Sequence, residues 1–329
     1  MSPIISVIIP LYNKENEVKR TIDSILNQTF SDFELIIVND GSTDNSLEVV
    51  NQYTDSRIRI INQENKGLPA TRNVGIRAST TDIVTFLDAD DEWYPTFLET
   101  ILSLREKYPA AGIYGTLFDR CVIDYPKPNK VCGLPSDDFE GYLPSYFQTY
   151  WKSGHPPFSA CCAAIPKYVF DVVGYFNESA RIGEDVEMWA RVAMHFPIVF
   201  TMKNCSRYHL IASNKMTCDF KAFDHHPAVT YLDALTDNLL QGRNDVDDIR
   251  KTSEFLKLVT AYFNIGAGNL KRSKELLAES TSKTWILRRT VLRVLTLVPK
   301  SVGKFVIQRY AKIPLYEYYL HKNISRGTK

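Results

Sequence analysis

The sequence lacks the features that mark secreted, membrane-spanning and zinc-stabilised proteins. Its six cysteines show no CxxC spacing, which favours reduced thiols over zinc ligands or a disulfide framework. No stretch of about 18 uninterrupted apolar residues occurs, so we expect no ordinary transmembrane helix. The first residues contain no basic segment and no small-residue cleavage site, so we expect no signal peptide. Together these absences predict a cytoplasmic protein.

Two glycine-rich motifs that hold phosphates are also missing. Neither GxGxxG nor GxxxxGK followed by Ser or Thr is present, which disfavours a dinucleotide site and a P-loop. The composition is otherwise ordinary for a globular protein, with 44% hydrophobic and 23% charged residues. A chain of 329 residues can bury a large core, so its stability needs no disulfide or structural metal.

The net charge of +1 conceals an uneven distribution along the chain. The segment from Lys283 to Lys329 contains 11 basic residues and one acidic residue, so it carries +10 while the rest carries −9. An acidic body with a basic tail indicates two roles, chemistry in the body and an anionic partner for the tail.

Short apolar runs alternate with helical patterns over the first third of the chain. The predicted strands are 4–10, 33–39, 58–62 and 83–87, and the predicted helices are 15–28, 46–53, 69–78 and 95–107. This alternation predicts an α/β fold with a mostly parallel sheet and helices on both faces. Polar clusters follow three of these strands, and the carboxyl ends of the strands should bring them together at one edge, where ligands bind.

The rest of the chain gives a less regular pattern. A further strand is predicted over 113–124, a loop-like segment over 125–157 and an apolar segment over 158–165. The later predicted elements are a short helix over 184–195, a strand over 197–208, and helices over 228–240, 246–265 and 273–280. The C-terminal third is therefore expected to be helical.

The turn Asp88-Ala89-Asp90-Asp91 follows the fourth predicted strand. Carboxylates held this close repel one another, and a hard divalent cation relieves the repulsion. Solvated turns also use Asp freely, so the motif alone leaves that alternative open. Its place after an apolar strand favours a metal site.

Two further motifs stand where predicted strands give way to helices. Asp40 begins an Asp-Gly turn, and in the structural interpretation Ser42 or Asp44 caps the next helix. In the functional interpretation the carboxylate of Asp40 accepts a hydrogen bond from a nucleobase or a ribose. Arg72 lies one turn into a predicted helix that has no acidic residue in its first turn. The helix N-terminus and the guanidinium can then both bind an anion. The alternative for Arg72 is a surface arginine.

Glu184 and Asp185 begin an apolar helical pattern. Acidic residues at a helix N-terminus complement the helix dipole, which is the structural explanation. The functional explanation is a general base, in which one carboxylate takes a proton from a hydroxyl and its neighbour shapes its pKa. His209, at the end of the last predicted strand, is either structural or part of a metal or diphosphate site.

In combination these motifs resemble the family 2 glycosyltransferases of the GT-A fold. The matching segments, in order, are SVIIPLYNKENEVKRTIDSILNQTFSDFELIIVNDGSTDNS, NKGLPATRNVGI, FLDADD, GEDVEMWARV and RYH. The resemblance implies a GT-A (Rossmann-like) sheet with flanking helices plus a helical, basic C-terminal region. It implies a nucleotide-sugar-binding half in 1–111, an acceptor-binding half in 112–224, and a helical region with an amphipathic tail in 225–329.

The resemblance also implies catalytic and metal-binding roles. Asp185 matches the catalytic base, and Glu184 lies beside it facing the acceptor. Asp88 and Asp90 match the metal-binding DxD motif for Mn²⁺ or Mg²⁺, with Asp90 as the direct ligand. His209 matches a residue near the metal and the diphosphate.

The expected donor is a nucleotide diphosphate sugar, with a UDP-sugar as the default. By resemblance it lies among Pro10, Tyr12, Asp40, Arg72 and Asp88, and Asp40 faces the base. The implied reaction is inverting transfer of one hexose or N-acetylhexosamine to a hydroxyl. The sequence has no Q-x-x-R-W motif of the processive synthases of this family, which favours addition of a single sugar.

The tail adds an expectation about the partner. Residues 285–298 and 300–310 mix apolar and basic residues, and Arg289 and Arg293 fall on one helical face. Such a segment predicts docking on an anionic membrane, with packing on the acidic body as the alternative and nucleic acid disfavoured.

The sequence therefore predicts a peripheral enzyme on the inner face of the plasma membrane. It would act on a lipid-diphosphate-linked saccharide in bacterial surface-polysaccharide synthesis. A soluble or protein acceptor and a non-catalytic nucleotide-sugar-binding module remain alternatives.

Overall fold

A computed structural model describes residues 3–122, 125–210 and 222–310 of the chain. It forms two compact units. The first consists of the described residues of Met1–Pro144 and Pro157–Lys215, and the second of those of Ser145–Pro156 and Met216–Lys329. The division of the first unit into a donor half and an acceptor half stays a prediction.

The first unit is built on a 10-stranded mixed sheet. The strands are β1 (Ile5–Leu11), β2 (Phe33–Asp40), β3 (Ile58–Gln63), β4 (Ile83–Phe86), β5 (Glu92–Trp93), β6 (Ile113–Val122), β7 (Tyr125–Pro128), β8 (Glu140–Tyr142), β9 (Ala163–Pro166) and β10 (Ile198–His209). Every residue of β1 is buried, as expected for a central strand covered on both faces.

The strand order is β3-β2-β1-β4-β9-β6-β10-β5, with β7 beside β6 and β8 beside β10. Strands β3, β2, β1 and β4 run parallel, β9 runs antiparallel to both β4 and β6, and β6 and β10 are parallel. The order reverses at β1, which lies between β2 and β4. Open α/β sheets place their ligand crevice at the carboxyl ends of strands at such a reversal.

The helices that precede the second unit's main bundle are, in chain order, α1 (Val18–Leu26), α2 (Ser46–Asn51), α3 (Leu68–Ala78), α4 (Phe97–Lys107), α5 (Tyr146–Ser153), α6 (Lys167–Val173) and α7 (Glu184–His195). All except α5 belong to the first unit. The mostly parallel sheet with flanking helices confirms the expected GT-A architecture.

Helix α3 packs unusually close to β1. A Cβ atom at Gly75 would lie 2.4 Å from Cγ2 of Ile8, a distance that no packed side chain tolerates. Glycine therefore sets the approach of α3 to the sheet, and with it the position of the other residues on that helix.

The segment 125–157 differs from its loop-like prediction. It contains the short strands β7 and β8 and the helix α5. Ser145 caps the N-terminus of α5, because its side chain accepts a hydrogen bond from the backbone N–H of Gln148. Its proline, glycine and aromatic content indicated a loop. Pairing with β6 and β10 stabilises strands that are too short to be predicted from the sequence. Helix α6 was likewise not predicted.

The second unit is helical. Besides α5 it contains α8 (Pro227–Asp233), α9 (Asp237–Leu240), α10 (Val246–Ala267), α11 (Leu270–Glu279), α12 (Ile286–Leu295) and α13 (Lys300–Tyr310). The core lies along α10, where Phe255, Leu258 and Ile265 are fully buried. Among the described residues, no helix is both long enough and apolar enough to cross a membrane.

Helix α12 presents two different faces. Leu292 and Leu295 are buried, whereas Leu287 is 74% and Val294 53% exposed. Arg293 donates to the carbonyl of Leu277 at 2.9 Å, near the end of α11. Arg289 donates to the carbonyl of Ser280, so both arginines bind carbonyls that the end of α11 leaves without helical partners. The rest of the basic tail, 311–329, lies outside the described residues.

Candidate active site

The loops that follow β1 and β2 meet at the carboxyl edge of the sheet. Asn13, which has a positive φ of 50°, accepts a hydrogen bond from the backbone N–H of Thr43 at 2.7 Å and donates to its hydroxyl at 3.2 Å. The neighbouring Tyr12 is 42% exposed, and Pro10 is buried within β1. Two predicted nucleotide contacts thus lie at the expected edge, one open to solvent and one in the strand.

Asp44 rather than Ser42 reaches the helix that follows. Its carboxylate accepts from the backbone N–H groups of Ser46 at 3.0 Å and Glu15 at 3.1 Å. Ser42 instead accepts from the backbone N–H of Asn13 at 3.2 Å. This arrangement joins the start of α2 to the loop after β1.

Asp40 is a buried carboxylate that holds the entrance to α3. Its Oδ1 accepts from the backbone N–H of Lys66 at 2.8 Å and from Nε2 of Gln63 at 2.6 Å, and its Oδ2 accepts from the backbone N–H of Gly67 at 2.9 Å. Gly67 has a φ of 88° and precedes the first helical residue, a conformation suited to glycine. The carboxylate can accept further hydrogen bonds beyond these three, and its predicted contact with a nucleobase stays a prediction.

Arg72 joins the two acidic motifs of the sequence. Its side chain is only 2% exposed and donates from one terminal nitrogen to Asp88 at 2.8 Å and from the other to Glu184 at 2.7 Å. Phe86 and Phe176 lie within 6.0 and 5.5 Å of its guanidinium. Burial alone would lower the pKa of Arg72, but the charges of Asp88, Glu184 and Asp185 outweigh it and raise the pKa. The guanidinium is therefore permanently charged.

Glu184 has a partner within the protein that the sequence did not indicate. Its carboxylate is buried and bonded to Arg72, so it orients the arginine within the protein. Its predicted orientation towards an acceptor stays a prediction.

Asp185 has the electrostatic surroundings of a base that works near neutral pH. Burial raises the pKa of this carboxyl to about 7, helped by the charge of Glu184 and opposed by Arg72 and by the backbone N–H of Val186, which donates to it at 2.8 Å. Helix α7 begins directly after Gly183, which has a φ of 74°, and thereby places Asp185 in its first turn. A base is most effective when its pKa lies near the working pH.

Asp90 and its neighbour Asp91 are held differently from Asp88. Asp90 is 4% exposed, and its Oδ2 lies 2.9 Å from the ammonium of Lys14. Asp91 is fully buried, and its Oδ1 accepts from the backbone N–H of His209 at 2.9 Å. Asp91 therefore has a structural role in connecting the turn to the end of β10.

The imidazole of His209 is paired with Glu92, Nε2 to Oε1 at 3.1 Å. The hydrogen bond from His209 lowers the pKa of Glu92 to about 2, against the effect of burial and together with a further hydrogen bond from Arg207. Across the described part of the chain, no group of three or more His, Cys, Asp and Glu side chains forms a potential metal site. His209 as a third metal ligand accordingly stays a prediction.

The donor set of the turn suits a hard divalent cation. Mg²⁺ bound together with substrate phosphates takes one or two carboxylates from the protein rather than a full cage. Asp88 and Asp90 supply two carboxylates, and the side chain of Asp88 is 28% exposed. Residues and ion are thus chemically compatible without a third protein ligand.

Two residues that sequence reasoning did not assign contribute to this edge. Lys14 stands in the polar cluster after the first predicted strand, but nothing in the sequence paired it with Asp90. Asn73 donates to the carbonyl of Phe176 at 2.9 Å and accepts from its backbone N–H at 2.9 Å, which holds the segment before α7 against α3. These pairings join positions 76 and 103 residues apart, so no local sequence signal indicates them.

Comparison with known proteins agrees with this fold. The sequence model of the family described as Glycosyl transferase family 2 matches residues 6–174, and the chain belongs to that family. It is 44% identical over 102 residues to the uncharacterized glycosyltransferase YibD of Escherichia coli, which covers 30% of each chain. It is 30% identical over 190 residues to the uncharacterized glycosyltransferase RP339 of Rickettsia prowazekii, covering 57% of this chain and 58% of the relative.

The chain spans only part of these relatives. The match covers 30% of YibD and 17% of the glycosyltransferase GlyA of Streptococcus pneumoniae, which is 43% identical over 116 residues and 35% of this chain.

Two solved structures share the fold at 16% identity. TarS 1-349 of S. aureus, in complex with UDP-GlcNAc, has a TM-score of 0.61, and the alignment covers 92% of this chain and 88% of that one. The mannosyltransferase PcManGT of Pyrobaculum calidifontis, in complex with GDP-Man and Mn²⁺, has a TM-score of 0.55, with 95% and 88% covered.

Proposed function

We propose that the protein is a metal-dependent inverting glycosyltransferase. It moves one hexose or N-acetylhexosamine from a nucleotide diphosphate donor, by default a UDP-sugar, to a hydroxyl of a lipid-linked saccharide. The observation that carries the proposal concerns Asp185. This residue has a pKa of about 7 and follows Glu184, which Arg72 binds together with Asp88.

Asp185 acts as the general base. It removes the proton of the acceptor hydroxyl as the oxygen attacks the anomeric carbon, while the bond to the diphosphate breaks on the opposite side. A single displacement inverts the configuration and needs no covalent bond to the enzyme. Burial and the charge of Glu184 raise the pKa of Asp185, and Arg72 opposes them, which leaves the pKa of the base near neutral pH.

Arg72 acts mainly by holding two carboxylates in place. Both terminal nitrogens of its guanidinium are bonded to carboxylates, so it fixes Asp88 on the donor side and Glu184 on the acceptor side. Because two acidic motifs share one buried cation, the donor turn and the start of α7 keep a fixed spacing. Such preorganisation lowers the barrier by removing the need to reorient charges during the reaction.

The donor side consists of the loops after β1, β2 and β4. Asp40 and Tyr12 are proposed to contact the nucleoside, and Asp88 and Asp90 to hold Mn²⁺ or Mg²⁺. When bound there, the cation would neutralise negative charge on the departing diphosphate. The fold likeness to TarS with UDP-GlcNAc and PcManGT with GDP-Man and Mn²⁺ supports this type of donor complex.

The acceptor and the location rest on the C-terminal helices. Apolar side chains of α12 and α13 are exposed, among them Leu287 at 74% and Phe305 at 56%. They belong to a segment with a charge of +10, and apolar and basic residues together favour an anionic membrane surface. A peripheral protein on the inner face of the plasma membrane would meet lipid-diphosphate-linked saccharides there, as surface-polysaccharide synthesis requires.

The proposal is tested by nucleoside diphosphate release from a panel of UDP- and GDP-sugars, with Mn²⁺ and a lipid-linked saccharide. Asp185→Asn should lower the transfer rate by about 10²- to 10⁴-fold and leave donor binding unchanged, because only the base is lost. The wild-type rate should fall about tenfold per pH unit below 7, as Asp185 becomes protonated.

The matched control is Asp171→Asn, an exposed acidic residue on α6, which should transfer at the wild-type rate. Transfer by Asp185→Asn at the wild-type rate would reject the base assignment. Donor binding without any turnover in the wild type would identify a binding module instead, and full activity on free saccharides without lipid would identify a soluble acceptor.

A further inference from the structure

Each of the two carboxylates predicted to bind the metal already has a cation from the protein beside it. Asp88 is paired with Arg72 at 2.8 Å, and Asp90 is paired with Lys14 at 2.9 Å. The side chains of Asp90 and Lys14 are only 6% and 12% exposed, so this second pair lies largely out of solvent. Both carboxylates of the predicted DxD motif therefore lie against positive charges of the protein.

The two cations differ in how easily they can move. Arg72 cannot leave Asp88 without disturbing its bond to the buried Glu184. Lys14 reaches Asp90 through a flexible four-carbon stem, and a lysine ammonium is a compact charge with no fixed fork geometry. Its backbone is held, since the N–H of Lys14 donates to Oγ of Ser46 at 2.7 Å. Movement of the side chain alone can therefore uncover Asp90.

A divalent cation and the Lys14 ammonium cannot both lie against the same oxygen of Asp90. Two positive charges a few ångströms apart repel strongly in a partly buried site. Seating a metal on Oδ2 of Asp90 consequently requires that the 2.9 Å contact be broken. A metal on the other oxygen would still meet the repulsion of the nearby ammonium. The metal affinity of the site is then reduced by the stability of the ion pair.

We propose that Lys14 is the resident counter-ion of Asp90 and competes with the divalent cation for that carboxylate. This inference rests on the proposed function, because it assumes that Asp90 binds a metal. In this scheme the ammonium of Lys14 neutralises Asp90 before metal binds, and it moves away from that carboxylate when the metal binds. It thereby sets how tightly the protein holds metal before the nucleotide arrives.

The test is a titration of the full chain with Mn²⁺ in the absence of nucleotide. Electron paramagnetic resonance measures the concentration of the free ion. Lys14→Met removes the competing charge and should lower the Kd for Mn²⁺ by about tenfold. Lys14→Arg keeps the charge and should restore weak binding. Lys19→Met, which removes an exposed lysine paired with Asp23, serves as the matched control and should bind as the wild type does.

The outcomes separate this inference from the proposed function. Equal Kd values for wild type and Lys14→Met, with binding abolished in Asp90→Asn, would overturn the competition and leave the metal site intact. Absence of Mn²⁺ binding in every variant would overturn the competition together with the metal role of Asp90. Tighter binding by Lys14→Met that is lost in the double variant Lys14→Met/Asp90→Asn would support the proposal.

Discussion

The carboxyl edge of the sheet and the C-terminal helices use arginine in opposite ways. At the sheet edge, Arg72 is buried and bonded to two carboxylates from distant parts of the chain. In α12, Arg289 and Arg293 donate to backbone carbonyls at the end of the neighbouring helix, and Arg293 stays exposed. The first arrangement holds charges out of water, and the second completes a helix terminus.

The difference shows where the molecule places charge for chemistry. Burying an ion pair often contributes little net stability, because desolvation offsets the attraction. A buried Arg72 between two acidic motifs is therefore better explained by the position it imposes than by stability. In the second unit Arg289 and Arg293 bind carbonyl groups at the end of α11, and apolar side chains such as Leu287 remain exposed.

The largest predicted effect comes from removing the buried cation. Arg72→Met leaves the buried Glu184 without its cation and should lower the free energy of unfolding by about 3–5 kcal/mol. Arg77→Met on the same helix, where the side chain is 50% exposed, should change it by less than about 0.5 kcal/mol. Urea denaturation measures both.

Arg293→Met extends the comparison to the second unit. Loss of one hydrogen bond to a carbonyl should cost about 1 kcal/mol. If Arg72→Met proved no more destabilising than Arg293→Met, the contrast between the two regions would be wrong.

The next effect concerns how closely helices approach their neighbours. Gly75→Ala should lower the free energy of unfolding by about 1–3 kcal/mol, because the new Cβ would lie 2.4 Å from Ile8 in a packed core. Gly303→Ala on α13 should cost less, since its Cβ would meet the carbonyl of Leu295 at 3.0 Å. Thermal and urea unfolding of both variants measure the difference.

A double-mutant cycle identifies the cause. Ile8→Ala provides space next to Gly75, so Gly75→Ala should destabilise that background less than it destabilises the wild type. An equal cost in both backgrounds would contradict the proposed clash.

The smallest predicted effect tests the exposed face of α12. Leu287→Ser should weaken binding to vesicles containing anionic lipid by about fivefold, because one apolar side chain no longer inserts. Leu239→Ser, which replaces a 54% exposed leucine on α9, is the matched control and should bind normally. Vesicle co-sedimentation provides the measurement, and unchanged binding of Leu287→Ser would exclude that face as the membrane contact.

The sequence predicted the first half of the sheet closely. The strands predicted over 33–39 and 58–62 are observed at Phe33–Asp40 and Ile58–Gln63, and the helix predicted over 184–195 is observed at Glu184–His195. These elements carry strong local patterns, either β-branched apolar runs or an amphipathic repeat. The segment 125–157 was predicted less well, because β7 and β8 depend on pairing with distant strands rather than on their own residues.

By itself, the sequence determined the alternation of strands and helices, the acidic motifs at the strand ends and the uneven distribution of charge. Only the tertiary structure decided which charges meet. The pairing of Arg72 with Glu184 spans 112 positions and that of Lys14 with Asp90 spans 76. Hydrophobic periodicity is a local property of the chain, whereas the partner of a buried charge is set by the order of strands in the sheet.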